Sequence, residues 1–314
     1  MVDINLSFLL RLIADGLLIG FIYALMAMGL TLIFSVLRVV SFAHGEHYMI
    51  GGYAAYYLLE AFTGLHPLLA ILLAGTVTFT IGAIFERIFL RPLAEEKVER
   101  PGEYAILVTF GLGFFLQYLT LALIGPHPKK TARYFDLPAF ELGPITATAA
   151  TLKLGTIPLS ATRLTAAVIA VLLMFVMLYV IHRTWLGRGL RAVSQDKQAA
   201  AVVGINPLRM STLAFGMGTM LAGMSGAALV PAFAWVPAVG APAAVKSYVI
   251  IVLGGMGSIP GAMLGGLIIG VVEALGTGLL PDPNRAFAYR DAYGMLIFAL
   301  VLLLRPRGLF GRQE

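Results

Sequence analysis

The chain reads as an all-α, polytopic membrane protein with about eight or nine transmembrane or re-entrant helices, some of them broken near the membrane midplane. Three observations lead there. Hydrophobic residues make up 59% of the 314 positions and charged residues only 12%, and the mean hydropathy is +0.90; soluble domains do not reach such values. Apolar runs of about 20 residues recur, the length a helix needs to cross hydrocarbon. A polar, basic stretch, Gly187–Arg209, stands out between two of those runs. The whole chain, 1–314, is read as one transmembrane domain.

Taken in order, the first span covers about Gly16–Val36 and opens with Gly16 and Gly20, a small-xxx-small spacing suited to close helix packing. Arg38 and the polar segment Val39–His47 follow. The second span runs about Tyr48–Phe62, a turn falls at Gly64–Pro67, and the third span covers about Leu68–Leu90. A charged segment, Arg91–Glu103, separates it from the fourth, Tyr104–Ile124. The connection 125–163 carries five prolines, and its Thr146–Pro158 part has the Thr/Gly/Pro character of a hairpin or irregular cap. Leu164–Ile181 and Met210–Phe233 flank the basic stretch, within which Asp196 is suited to N-cap a short Ala/Val helix that Gly204 ends. After Pro231, Pro237 and Pro242, Ala244–Leu253 is too short to cross alone. Gly254–Gly261 breaks the chain, Ala262–Leu280 resumes it, and Asp291–Leu304 is the last span. Ala244–Leu280 is thus a broken or re-entrant pair.

Charge orients the bundle. With 183–210 on the cytoplasmic side, Arg38, Arg87–Arg100 and the tail Arg305–Arg312 share that side, which then holds the larger part of the 22 lysines and arginines. The N-terminus is outside, the C-terminus inside, and 125–163 is extracytoplasmic. The N-terminus carries Asp3 and Asn5, lacks a basic n-region and shows no cleavable signal. The net charge of +6 sits in loops and does not form a nucleic-acid surface. The absence of cysteine excludes disulfides, thiolate metal sites and iron–sulfur clusters.

Two stretches could carry chemistry. Ser41, Phe42, Ala43, His44, Gly45, Glu46 and His47 place three ionisable groups between apolar segments. They fit a metal site, a proton relay, or the capping of a helix break with Glu46 pairing Arg38 or backbone amides. The second stretch holds Gly254, Gly255, Gly257 and Ser258. It contains no lysine, so it is not a GxxxxGK[ST] phosphate loop, and no such loop occurs in the chain. Glycine-rich backbone at membrane depth is tolerated where it faces protein or a cavity, so paired interruptions point to a translocation path. The plainer alternative is close packing, through Gly261/Gly265 and Gly266/Gly270. Met26, Met28, Met217, Met220 and Met224 read as packing, and no catalytic triad or cofactor signature stands out.

Several segments resemble LivH-type permeases of branched-chain amino acid ABC importers: Tyr23–Phe34, Val40–Glu46, Met49–Tyr53, Glu86–Leu93, Ile106–Gly111, Gly189–Val193, Gly204–Asn206, Val252–Ala262 and Arg305–Leu309. They are spread over nearly the whole chain, with 125–163 matching least. The resemblance implies a permease in a bacterial or archaeal cytoplasmic (inner) membrane. Its partners would be membrane lipid, a second, LivM-like permease, two cytoplasmic ATPase subunits that hydrolyse the ATP, and an extracytoplasmic binding protein. This chain would itself bind no cofactor and catalyse no reaction. Gln198–Gly204 is similar to the EAA loop through which ABC permeases dock on ATPases, which implies docking by Arg191, Asp196, Gln198, Ala199, Ala200, Gly204 and Asn206. Gln198 stands where that loop has Glu, and the hydrophobic-x-Leu-Pro tail is missing. Related importers carry urea, short amides or aromatic acids, and these remain alternatives, as do a proton-coupled transporter and a passive channel.

Overall fold

In hydrocarbon each backbone N–H and C=O must be satisfied within the protein, so the apolar runs form helices. The computed structural model describes residues 5–95, 97–142, 144–155, 157–280, 282, 289–305 and 308–311. Asp3, Pro306, Arg307 and Arg312, used above for topology and resemblance, lie outside them. Among the described residues seven segments are long and apolar enough to cross a membrane: Leu6–Leu37, Pro67–Leu93, Pro101–Ile124, Ala161–Arg183, Pro207–Leu229, Pro237–Gly254 and Ile259–Leu279.

Helix α1 (Leu6–Leu37) starts ten residues before the expected span, and from Leu18 to Ile33 all but Phe21 are buried. A helix apolar on every side belongs in the interior. Asp15, just before the expected span, is accommodated by an ion pair with Arg163 at 3.4 Å. α1 packs on α6 (Ala161–Arg183), α9 (Pro207–Leu229), α10 (Gly240–Gly254) and α11 (Ile259–Leu279). The α1–α11 contact is antiparallel and runs on glycines. A Cβ on Gly16 would lie 2.7 Å from the Val271 backbone, and one on Gly20 2.9 Å from that of Leu267. The small-residue spacing read from the sequence therefore does pack helices at backbone contact.

Helix α9 is equally buried and joins α1 to α2 (His44–Ala61) and α3 (Pro67–Phe85). Beyond α3 the helix widens into one π-turn, Glu86–Leu90, which buries the Glu86 side chain where it accepts a hydrogen bond from Thr212 Oγ1 at 2.5 Å. The short α4 (Arg91–Ala94) follows. α5 (Pro101–Ile124) lies against α2 but presents Leu107, Phe115, Tyr118 and Leu123 outward. The expected hairpin region is a four-stranded antiparallel meander: β1 (Phe140–Leu142), β2 (Ile145–Ala147), β3 (Thr151–Leu154) and β4 (Ile157–Ser160). It caps the N-terminal end of α1 through β4.

Helix α10 is longer than the sequence reading allowed. A 3-10 turn, Pro237–Val239, leads straight into it, and Pro242 sits in its first turn, where a missing N–H breaks no helical hydrogen bond. α10 and α11 form an antiparallel hairpin closed at Gly254 and Gly261. Its turn uses positive φ at Gly255 (99°) and Gly257 (85°), a conformation that side-chain-bearing residues resist. Ser258 Oγ caps α11 by accepting from Gly261 N at 3.1 Å. The last helix is α12 (Arg290–Leu304). After it the tail returns, and the backbone N–H groups of Leu309 and Phe310 donate to the carbonyls of Leu253 and Gly254 at 2.8 and 3.0 Å. Two orphan carbonyls at the end of α10 are satisfied this way.

Candidate functional site

The polar segment after α1 folds back into the bundle. His44, the first residue of α2, places Nε2 3.0 Å from the carbonyl of Met26. Met26 is eleven residues from Leu37, the last of α1, or roughly 17 Å along the helix axis. Helix α2 therefore begins deep inside the protein. His47 Nδ1 lies 2.8 Å from the Ala43 carbonyl, the Phe42 N–H donates to Thr109 Oγ1 at 3.1 Å, and Tyr248 donates to the Ser41 carbonyl at 3.1 Å. The Phe42 ring stands 5.1 Å from Tyr248 and 6.1 Å from Phe110.

Glu46 does not pair with Arg38. Arg38 reaches the Ser194 carbonyl at 3.2 Å, because it stands at the far end of α1 while Glu46 is buried beside Gly240 and Gly113. Ser41 Oγ, His44 Nδ1, Glu46 Oε2 and His47 Nε2 are buried without a hydrogen-bond partner among the described residues. Four such atoms within seven residues are costly in an apolar interior, at about 1–3 kcal/mol each. A polar group passing the start of α2 would find both donors and acceptors there. The two histidines point to different carbonyls, and no three His, Asp or Glu side chains among the described residues converge to hold a metal.

The second interruption sits at another level. A Cβ on Gly257 would lie 3.9 Å from Phe34, in the last turn of α1, and Gly255 contacts Gly311 of the tail. Gly254, Gly255, Gly257 and Ser258 thus lie at the basic end of the bundle, whereas Ser41–Glu46 lie deeper. Helix α10 connects them: its first residue, Gly240, abuts Glu46, and its last, Gly254, closes the hairpin.

The basic stretch forms α7 (Trp185–Gln195) and α8 (Lys197–Val202). Asp196 Oδ1 accepts from the backbone of Gln198 and Ala199 at 2.8 and 2.9 Å, the N-cap expected, and Gly204 follows with φ of 86°. Asn206 caps α9 through Arg209 N at 3.2 Å, and Arg191 donates to the Ile181 carbonyl. Ala200 is buried. Arg191, Asp196, Ala200 and Asn206 therefore hold the loop together, Ala200 from within and Asp196 and Asn206 from exposed positions. Gln198, Ala199 and Gly204 face outward, together with Val202 and Val203, 88% and 74% exposed, which the sequence reading passed over. Two valines are thus left bare beside a helix cap.

The sequence reading also missed a charged cluster. Lys246 Nζ lies 2.9 Å from Glu273 Oε1, 3.1 Å from Asp291 Oδ1 and 3.0 Å from the Tyr23 hydroxyl. Arg290 Nε donates to Glu273 Oε2 at 2.9 Å. Lone charges within long apolar helices were the signal available, since such residues are expensive in a membrane and rarely idle.

The buried glycine-packed helices, the deep re-entry at α2 and the exposed α7–α8 loop define a polytopic membrane transport subunit. The family described as "Branched-chain amino acid transport system / permease component" matches residues 12–305. The chain belongs to this family. It is 35% identical to the high-affinity branched-chain amino acid transport system permease protein BraD of Pseudomonas aeruginosa, across 97% of this chain and 96% of that one. With LivH of Escherichia coli the identity is 31%, across 98% and 97%. The permease protein LivM of Escherichia coli is 26% identical, across 92% of this chain and 67% of LivM. No solved structure matches the chain.

Proposed function

We propose that this chain is the permease subunit of an ATP-binding-cassette importer for branched-chain amino acids, in the inner or cytoplasmic membrane of a prokaryote. Near-complete matching to permease proteins of that substrate class carries the reading. Two ATPase subunits supply the energy from the cytoplasm, a LivM-like permease completes the path, and an extracytoplasmic binding protein delivers substrate. The exposed Gln198, Ala199, Val202, Val203 and Gly204 surface receives the ATPases. Force enters at α7–α8, which is tied to α1 by the Arg38–Ser194 contact. It reaches α2 and α10, whose N-termini meet at Glu46 and Gly240. Alternating exposure of Ser41–Glu46 follows from small relative movements of those two helix starts. This chain binds no cofactor and performs no hydrolysis in this scheme.

Uptake of labelled leucine into proteoliposomes holding the two permeases, the ATPases and the binding protein tests it. ATP-dependent uptake that disappears when the ATPases are left out supports the assignment. Uptake by this chain alone under a pH gradient contradicts it.

A further inference from the structure

A cavity of about 270 Å³ lies among α10, α11 and α12, on the face of α10 that carries Lys246, whereas Tyr248 faces Ser41. Its wall is aliphatic, formed by Val245, Val249, Ile269 and Met295 with Ala241 and Pro242, and one end is charged, with Lys246, Glu273 and Asp291. Small-molecule pockets start at roughly 300 Å³, so the occupant is a molecule of few heavy atoms. Glu273 is 2% exposed, and its Oε1, although 2.9 Å from Lys246 Nζ, accepts no aligned hydrogen bond. The charged end thus offers one ammonium, on Lys246, and two carboxylates, on Glu273 and Asp291, among the described residues. A ligand with both charges at one end and an aliphatic body fits both parts.

We propose that this cavity binds a zwitterionic aliphatic α-amino acid, a site that deepens the importer reading and rests on it. The carboxylate takes a donor from Lys246, the ammonium is held by Asp291 and Glu273 Oε1, and the side chain lies against Val249, Ile269 and Met295. Gly294 opens onto the cavity: a Cβ there would sit 3.7 Å from Ile269 Cγ2 and 3.8 Å from Glu273 Oε1, ordinary contact distances. Added side-chain volume at Gly294 thus subtracts from the ligand's space and leaves the ion pairs intact.

The test uses the assembled importer with Gly294→Ala and Gly294→Leu, reading uptake of labelled leucine and of labelled alanine, with complex assembly followed by size-exclusion chromatography. A methylene in an apolar pocket is worth about tenfold or more in discrimination. Gly294→Ala is expected to raise KM for leucine about tenfold more than for alanine, and Gly294→Leu to abolish leucine uptake while the complex stays assembled. A purely structural role for the cluster predicts equal effects on both amino acids, and that result overturns the site. Unchanged leucine KM in assembled Gly294→Ala overturns it too. If the parent complex takes up neither amino acid, the importer reading falls and the site with it, an outcome separable from the others because it appears before any substitution.

Discussion

Glu46 is the residue on which the proposed path depends most. It enters the interior in the first turn of α2, where the helix N-terminus favours a negative group, and its Oε2 faces Gly240 with no partner among the described residues. Glu46→Gln keeps the shape and removes the carboxyl group. Leucine uptake is expected to fall at least tenfold with the complex intact; unchanged uptake would detach Glu46 from transport. Gly45 serves a different purpose, because a Cβ there runs into the Gly240 carbonyl and Ala244. Gly45→Val is expected to destabilise the permease by about 1–3 kcal/mol, read as a lower melting temperature in detergent. Glu86 offers a third check. Thr212→Val leaves its buried carboxylate without that donor, at a cost of about 1–3 kcal/mol, again read by melting.

At the scale of elements, the contact surface of α7–α8 can be separated from its scaffold. Val202→Asp places a charge on an exposed position and is expected to weaken ATPase association at least tenfold, measured by co-purification, with the permease still folded. Ala200→Asp falls on a buried residue and should unfold the loop itself. Equal behaviour of the two variants would reject the outward-facing assignment. Much of this scale was legible in the sequence: Asp196 caps α8, Gly204 ends it, and Gly16 and Gly20 pack on α11. Each is a local rule, a side-chain oxygen for an N–H or a missing Cβ for a close approach. Three other features were not local. Pro242 looked like a barrier to α10 but occupies a first-turn position, and only the preceding 3-10 turn reveals that. The sequence starts the first span at Gly16, whereas α1 continues back through Asp15, which pairs with Arg163 far along the chain. Lys246 and Glu273 meet across a hairpin, and Arg290 joins them from a third helix, so no sequence window contains the cluster.

For the whole molecule, α1 and α9 form the interior, α1 meets both α9 and α11 by close approach at glycines, and α3, α5, α6 and α12 spread apolar faces outward. Such faces suit lipid or a second permease, and neither requires polar partners. The chain contains no phosphate-binding loop, and the proposed importer places ATP hydrolysis on separate subunits. The central claim is therefore that this protein moves branched-chain amino acids only as part of an ATP-driven complex. The direct measurement is leucine uptake by proteoliposomes containing the complete importer, compared with the same vesicles lacking the ATPase subunits. The account predicts uptake that requires both ATP and those subunits. Uptake of equal rate without them would contradict it.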